Sequence, residues 1–233
     1  MSIQVNIAVQ HNRIHVAKQL IASLEKQSVK PDAVVLILQG CNIDIKSSLP
    51  IKIVKNESNQ GASERFKYLG QHINLIIDDD FVVSKEYIAT ALKGHQRHPM
   101  AVCSFWGFAY HNKESYLDSW SNIDCWTNYA NDTQCKRIGC GVSIFDESVV
   151  RLSDVQWTAK NYNDMQLASY ACESGLELWK IAHATGIAIH NGTASVQANA
   201  LWKAQPNNLE FLQNQHKLIY EKSNILPIKI MRF

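Results

Sequence analysis

The segment Ile73-Asn74-Leu75-Ile76-Ile77-Asp78-Asp79-Asp80 joins an apolar run directly to three carboxylates. The apolar part predicts a buried strand, because a strand that is covered on both faces is almost continuously hydrophobic. The aspartates repel one another unless a cation or water relieves them, and carboxylate oxygens are the ligands that Mg²⁺ and Mn²⁺ prefer. We interpret the segment as a core strand that ends in a metal-binding turn, with a solvated acidic turn as the alternative.

Strand and helix patterns alternate on both sides of this segment. Residues 3–9, 33–38, 51–54 and 101–105 predict further strands. Helices are predicted between them, from Asn12 as the cap to residue 27, over residues 62–71, and from residue 85 to just before Pro99. This alternation predicts a mostly parallel, doubly wound α/β sheet. Right-handed crossovers place the carboxyl ends of its strands at one edge, where ligands bind.

The rhythm breaks between residues 106 and 136, where aromatic and polar residues mix without a clean period. We interpret this stretch as an irregular excursion over the sheet edge within a single domain. Strands are then predicted over residues 137–145, 176–182 and 186–189, and a terminal helix over 208–222. Residues 163–174 predict a helix, with Asn163 and Gln166 spaced as a capping box and Gly175 as the stop.

The overall composition is that of an ordinary globular protein. Of the 233 residues, 46% are hydrophobic and 19% are charged, and the net charge of +2 is too weak to imply a polyanionic partner by itself. A membrane span would need about 18 or more consecutive apolar residues, and no such run is present. The six cysteines are scattered without a C-x-x-C pair, which argues against a zinc site and for reduced thiols. We therefore expect a cytoplasmic protein.

Three further features contain residues that could act in binding or catalysis, although each could also have a purely structural role. Asp164 falls in the first turn of its predicted helix, where the helix dipole already favours a carboxylate. His190 ends a short apolar strand, and a lone histidine is more often structural than a ligand. The loop that starts at Asn59 can turn at Gly61 and present Arg65 toward a phosphate or a base.

The order and spacing of these features resemble those of family 2 inverting glycosyltransferases with the GT-A fold. The opening Val5-Asn6-Ile7-Ala8-Val9-Gln10-His11-Asn12-Arg13 resembles the first strand of that family and its P-T-Y-N-R-like end. Residues 59–65 resemble its N-x-G-x-x-x-R element, and residues 78–80 its D-x-D element. Gly139-Cys140-Gly141-Val142 resembles the glycine-rich strand that follows the acceptor region. Asn163-Asp164 takes the place of the family's E-D pair, and His190 takes the place of its metal-binding histidine. The resemblance extends from residue 3 to about residue 191.

The resemblance implies a Rossmann-like GT-A domain over residues 1–233, with a mostly parallel sheet flanked by helices. Its parts would be a nucleotide-sugar-binding half (1–100), an acceptor-binding half (101–192) and a C-terminal helical extension (193–233). The implied reaction is a metal-dependent, inverting sugar transfer that uses Mn²⁺ or Mg²⁺. Asp80 would bind the metal with His190, and Asp164 would be the general base.

The remaining implied roles concern the two substrates. The residues implied in binding the nucleotide sugar are Val9, Gln10, Asn12, Gln39, Asn59, Gly61, Arg65, Asp78 and Asp79. Those implied in binding the acceptor are Trp106, Trp120 and Trp126.

The sequence departs from the family pattern in two places. The turn after the second strand is Leu38-Gln39-Gly40-Cys41, where the family usually has an aspartate that holds the base. An amide both donates and accepts hydrogen bonds, so Gln39 can still contact a base edge. The donor that the resemblance favours is a UDP-sugar. Because the carboxylate is missing, however, the sequence does not decide which nucleobase the donor carries. The E-D pair is N-D here, which leaves Glu173 and Asp154 as alternative bases.

The acceptor also stays open. The aromatic residues between 106 and 129 can stack on sugar rings, which favours a glycan such as a bacterial surface-polysaccharide precursor, or they can pack a small satellite core. Bases stack on aromatic rings as well, so modified bases of phage DNA are an alternative acceptor, with phosphate support from His111, Lys113, Lys136 and Arg137.

Two other functional classes compete with the transferase hypothesis. One is a non-catalytic module that binds sugar nucleotides. The other is a haloacid-dehalogenase-like phosphatase, although that family places its Asp-x-Asp pair after the first strand and not after the fourth. The basic and apolar segment 217–232 is expected to pack on the domain, with peripheral membrane contact or subunit pairing as alternatives.

Overall fold

The computed structural model describes residues 2–110, 120–158, 161–191 and 209–222. The strands are β1 (Ile3–Gln10), β2 (Ala33–Gln39), β3 (Ile51–Asn56), β4 (Ile73–Ile77), β5 (Phe81–Val83), β6 (Val102–Ser104), β7 (Gly107–Tyr110), β8 (Trp120–Ile123), β9 (Thr133–Gln134), β10 (Arg137–Ile138), β11 (Val142–Asp146), β12 (Leu178–Lys180) and β13 (Ala188–His190). The α-helices are α1 (Ile14–Leu24), α2 (Tyr87–Arg97), α3 (Glu147–Val150), α4 (Asn163–Ser174) and α5 (Leu209–Lys222). Short 3₁₀ helices cover His11–Arg13, Ala62–Tyr68 and Leu152–Asp154.

The central sheet has eight strands in the order β3-β2-β1-β4-β11-β6-β12-β9. Strands β1 to β4 run parallel, as do β6 and β12, so the prediction of a mostly parallel sheet is confirmed. β11 runs antiparallel to both of its neighbours. Its first residue, Val142, therefore pairs with Ile77, the last residue of β4. This places the glycine-rich turn before β11 beside the acidic triplet that follows β4.

The sheet separates two hydrophobic clusters, as the period of two along a strand requires. In β4, Leu75 and Ile77 belong to the cluster on the side of α1 and α2, and Ile76 belongs to the cluster on the side of α4 and α5. All three of these side chains are fully buried. Helices thus cover both faces of the sheet, which leaves its carboxyl edge as the place for a site.

The structure corrects the prediction that residues 106–136 are irregular. β7 pairs antiparallel with both β8 and β10 and forms a three-stranded sheet beside the central one. The predicted strand over 137–145 is correspondingly divided into β10 and β11 by the turn Gly139–Gly141. These strands are two to five residues long, and a strand that short shows too few alternations to be recognised from periodicity.

β5 and β13 form a separate two-stranded sheet, of which one strand was predicted. The predicted strand over residues 186–189 is observed as β13, and it pairs with β5, which directly follows the acidic triplet and was not predicted. His190 lies opposite Phe81 in this pairing. The pairing is what carries His190 to the carboxyl edge of β4.

Several helix boundaries differ from the predictions. The segment expected as an α-helix over 62–71 is a 3₁₀ helix, Ala62–Tyr68, which follows Gly61 at φ 95°. Asn12 lies inside the 3₁₀ turn His11–Arg13 and does not cap α1, which begins at Ile14. The capping box is also wrong, because α4 begins after Tyr162 without a side-chain cap and the Gln166 amide donates to a loop carbonyl instead. Gly175, at φ 74°, ends α4 as predicted.

α5 packs against α4 through its buried residues Leu212 and Ile219. Within the described residues, no helix has both the length and the apolarity that a membrane span needs. The part of the basic segment beyond residue 222 lies outside the described residues.

Candidate active site

A cleft opens at the carboxyl edge of β1, β2 and β4. Of the residues singled out in the sequence, it is lined by Gln10, Gln39, Asn59, Gly61, Arg65, Asp78, Asp79, Asp80, Trp106, Asp164 and His190. Its wall also contains residues that were not among the predicted site residues, namely Ala8, Arg13, Ala62, Asn161 and Asn163. Val9 does not line the cleft, because its side chain is fully buried in the core. Asn12 does not line it either.

Asp78 is held from two sides. Its carboxylate accepts a hydrogen bond from Nη1 of Arg65, which is almost completely buried. Its backbone N–H donates to the carbonyl oxygen of Gly141 over 2.9 Å. Burial opposes ionisation of Asp78, but the charge of Arg65 outweighs it, and the pKa of Asp78 lies below its usual value. Asp78 is therefore ionised and oriented before any ligand binds.

Arg13 bridges the other two aspartates. Its Nη1 lies 3.0 Å from Oδ1 of Asp79 and 3.1 Å from Oδ2 of Asp80. Asp79 also accepts a hydrogen bond of 3.0 Å from the backbone N–H of Gln10. Burial nevertheless raises the pKa of Asp79 to about 7. Burial, followed by the charge of Asp78, also raises the pKa of Asp80. The sequence contains Arg13 within the first motif, but nothing local marks it as the partner of the triplet.

His190 lies beside the carboxylate of Asp80. Its Nδ1 lies 3.6 Å from Oδ2 of Asp80, and its ring centroid lies 4.4 Å from that of Phe81. One carboxylate oxygen and one imidazole nitrogen suit Mn²⁺, and Mg²⁺ takes the oxygen readily. These donors therefore fit a divalent cation that takes its other ligands from water and phosphate. No preformed group of three or more His, Cys, Asp or Glu ligands is found in the described part of the chain.

Gln39 fastens a loop to the end of β2. Its Oε1 accepts a 2.7 Å hydrogen bond from the backbone N–H of Gln60, and its Nε2 donates to the carbonyl of Gly61 over 3.4 Å. The carbonyl oxygen of the Asn59 side chain accepts from the backbone N–H of Gly61 over 2.8 Å. The amide of Gln39, which was predicted to contact a base edge, is thus engaged with the 59–61 loop.

Asp164 lies at the start of α4 and lines the same cleft. Its Oδ1 accepts a 2.9 Å hydrogen bond from the backbone N–H of Cys140. Burial raises the pKa of Asp164 above its usual value, although the Cys140 N–H and the charge of Arg137 oppose that shift. A carboxylate whose pKa is closer to the working pH is a better general base.

The other candidate bases lie elsewhere. Asp154 is 59% exposed and pairs with Arg151, and Glu173 is exposed on α4. Neither of the two lines the cleft. Of the three candidate bases, Asp164 is therefore the one that lines the cleft together with the acidic triplet.

Trp106 lines the cleft, whereas Trp126 packs against Trp106 and is not among the lining residues. The ring centroids of Trp106 and Trp126 lie 5.2 Å apart, and Trp126 lies 5.9 Å from His190. Trp126 is 36% exposed, so it keeps surface for a ligand beside the site. The side chain of Trp120 lies outside the described residues.

The basic residues considered for a phosphate-bearing acceptor are arranged differently. Arg137 is buried, and its guanidinium carbon lies 3.7 Å above the ring of Phe108. Lys136 is also buried. His111 and Lys113 fall outside the described residues. The guanidinium of Arg137 thus packs on Phe108, and its charge acts on Asp164.

The sequence matches no protein-family model, and no curated protein matches it. The fold does match solved structures. The structure of GalNAc-T7 with UDP, GalNAc and Mn²⁺ matches with a TM-score of 0.52 and 12% identity, over 78% of this chain and 42% of that chain. S. aureus TarS 1-349 matches with a TM-score of 0.47 and 16% identity over 79% and 60% of the two chains. A longer TarS chain gives 0.46 and 16% over 72% and 34%.

These three solved chains are glycosyltransferases. The chain spans between 34% and 60% of their lengths. Together with the mostly parallel sheet between helices, the match to GalNAc-T7 shows that this chain has the GT-A fold of glycosyltransferases.

Proposed function

We propose that this protein is a glycosyltransferase that moves a sugar from a nucleotide-diphosphate sugar to an acceptor hydroxyl, with a divalent cation and with inversion at the anomeric carbon. One observation carries the proposal: the acidic triplet, Arg65, His190 and Asp164 surround a single cleft at the carboxyl edge of a GT-A sheet. Ligands of open α/β sheets bind at that edge. Fold alone does not imply function, so the proposal rests on these side chains.

The donor would lie along the 59–61 loop and the ends of β1 and β2. Arg65 offers a guanidinium to phosphate or base, and a guanidinium is suited to phosphate because its planar donors match the phosphate oxygens. Asp78 and Asp79 would accept hydrogen bonds from the ribose or the sugar. GalNAc-T7 is solved with UDP and GalNAc, which supports UDP-sugars as the first donors to test here.

The cation would be held by Asp80 and His190, whose donor atoms face each other at 3.6 Å. A bound Mn²⁺ or Mg²⁺ supplies positive charge to the diphosphate as that group leaves. GalNAc-T7 is solved with Mn²⁺, which makes Mn²⁺ the first ion to test.

Asp164 would act as the general base. It would take the proton of the acceptor hydroxyl while the hydroxyl oxygen bonds to the anomeric carbon and the bond from that carbon to the diphosphate breaks. A single displacement of this kind inverts the configuration. Trp106 and Trp126 would offer ring faces to a sugar acceptor, and a bacterial surface polysaccharide or a related glycan is the acceptor class that we propose. A cytoplasmic location stays a prediction.

The test is a thermal-shift screen of nucleoside diphosphates and their sugars, each with Mn²⁺ and with EDTA. A ligand that binds the native state raises its melting temperature by mass action. We expect one nucleotide to stabilise the protein with Mn²⁺, and we expect the shift to vanish with EDTA and in Asp80→Asn. Asp154→Asn is the matched control, because it removes an exposed carboxylate outside the cleft. The absence of a shift with every nucleotide in the presence of metal would contradict the proposal.

A further inference from the structure

We propose that Arg13 makes binding of the divalent cation conditional on the donor diphosphate, because its guanidinium already serves as the counter-ion of Asp79 and Asp80. This inference rests on the proposed function. It assigns a specific role to a residue for which the sequence motif suggested none.

The contacts of Arg13 place one nitrogen where a cation would be attracted. Nη1 alone contacts both carboxylates, at 3.0 Å from Asp79 and 3.1 Å from Asp80. The oxygen that it contacts on Asp80, Oδ2, is the same oxygen that faces Nδ1 of His190 at 3.6 Å. Arg13 therefore uses the one carboxylate oxygen that a cation between Asp80 and His190 would need.

The charge balance at the triplet also disfavours a cation that binds alone. The three carboxylates of residues 78–80 face two guanidinium groups, since Arg65 pairs with Asp78 and Arg13 with the other two. At most three negative charges stand against two positive ones, which leaves at most one net negative charge. A cation that arrives alone thus meets a largely neutralised site and repulsion from Arg13. A diphosphate adds the negative charge that both the cation and Arg13 can share.

Arg13 also retains unused capacity to bind such an anion. Its Nε is buried and has no hydrogen-bond partner among the residues that the structure describes. Its side chain is 11% exposed and lines the cleft. A buried donor that lacks a partner is unfavourable, so a phosphate oxygen within reach would stabilise it. When Arg13 turns toward phosphate, Oδ2 of Asp80 becomes available to the cation.

Coupling of this kind is reciprocal: if the diphosphate tightens cation binding, the cation tightens diphosphate binding by the same factor. Removal of the guanidinium should therefore change two quantities in opposite directions. The affinity for the cation alone should increase, and the factor by which the diphosphate improves that affinity should decrease.

The experiment measures free Mn²⁺ by electron paramagnetic resonance during titration of the protein, first alone and then with UDP, GDP, CDP or ADP. Matching titrations of each nucleotide without protein are subtracted. For the unchanged protein we expect a nucleotide that tightens Mn²⁺ binding by about 10-fold, within the usual range of coupling factors. For Arg13→Gln we expect Mn²⁺ alone to bind at least about 5-fold more tightly, with a smaller nucleotide effect.

Arg65→Gln is the matched control. It also removes one positive charge from beside the triplet, but the native Arg65 contacts Asp78 and not Asp80. The effect of Arg65→Gln on the affinity for Mn²⁺ alone should be less than half that of Arg13→Gln. Asp80→Asn in the Arg13→Gln background should abolish the gain. Arg13→Met, which keeps the aliphatic stem, provides a second test if Arg13→Gln does not fold.

Two results would overturn the inference. One is that the unchanged protein binds Mn²⁺ equally well with and without a nucleotide that it binds. The other is that the Arg13 variants bind Mn²⁺ no more tightly than the unchanged protein or than Arg65→Gln. Failure of the proposed function would look different, because no nucleotide would then bind under any condition.

Discussion

The backbone N–H of Asp78 donates a 2.9 Å hydrogen bond to the carbonyl oxygen of Gly141, and this bond joins the end of β4 to the turn before β11. The same turn contacts Asp164 through the N–H of Cys140. It is also anchored to β6, because the Ser104 hydroxyl donates to the carbonyl oxygen of Gly139 over 2.7 Å. One three-residue turn thus connects the acidic triplet with the candidate base.

Gly141→Ala should impair the donor side of the cleft. A Cβ at position 141 would lie 1.9 Å from Oδ2 of Asp78, far inside contact distance. The carboxylate would have to leave Arg65, and we expect the affinity for the nucleotide with Mn²⁺ to fall at least about 10-fold, which is about 1.4 kcal/mol. Nucleotide titration by calorimetry measures this loss.

Gly175→Ala controls for the effect of an added methyl group on the fold. Gly175 has a φ of 74°, and a Cβ there would meet no atom within 4 Å. The left-handed conformation should cost about 1 kcal/mol of stability, without a change in nucleotide affinity. If Gly141→Ala bound the nucleotide as well as Gly175→Ala does, the turn would have no role in holding Asp78.

Asp164→Asn should greatly lower turnover while the nucleotide still binds. The amide cannot take the proton of the acceptor hydroxyl, and loss of a general base lowers rates by about 10²- to 10⁴-fold. Sugar release from the donor measures the rate, and the nucleotide-induced thermal shift measures binding. Asp154→Asn and Glu173→Gln, both outside the cleft, should retain the full rate. An Asp164→Asn protein with the unchanged rate would move the base to another residue.

Gln39→Ala should weaken nucleotide binding through the loop. It removes the side-chain bonds to Gln60 and Gly61, which together contribute about 1–2 kcal/mol. We expect about a 10-fold loss of nucleotide affinity. Gln60→Ala is the matched control, because its backbone N–H remains and its exposed side chain bonds only to the Ser58 hydroxyl among the described contacts. If Gln39→Ala bound the nucleotide as tightly as Gln60→Ala does, the hydrogen bonds from Gln39 to the loop would have no role in nucleotide binding.

Lys180 should make stability depend on pH. Its side chain is fully buried, Nζ lies 3.6 Å above the ring of Tyr129, and burial lowers its pKa from 10.5 to about 7. Between these two values the unfolded chain binds more protons than the folded one, so the contribution of Lys180 to stability should rise from pH 7 to pH 10.

Lys180→Met tests this dependence. At pH 7 the variant should melt at least about 2 °C above the unchanged protein, roughly the shift that 1 kcal/mol gives at this size. The difference should shrink as the pH approaches 10. A difference that stays constant from pH 7 to pH 10 would show that the amine is not the cause.

Local patterns predicted most of the elements that surround the cleft. The apolar run before Asp78 predicted β4. The observed bounds of α4 are those predicted, and Gly175 ends the helix, although the capping box expected at its start is absent. The short strands β5, β7, β8 and β9 were missed, as was the 3₁₀ geometry after Gly61. In those segments a few residues of local preference are outweighed by pairing with distant strands.

The sequence by itself determined the mostly parallel α/β sheet and the position of the acidic triplet at the end of a core strand, because hydrophobic periodicity and turn residues act over a few neighbouring positions. The tertiary structure decided which charges meet there. Arg13 lies 66 residues from Asp79 in the chain and contacts it only because β1 and β4 are neighbours in the sheet. His190 reaches Asp80 through the pairing of β13 with β5. Such contacts depend on strand order and on which side chains are buried together, and no local pattern encodes either.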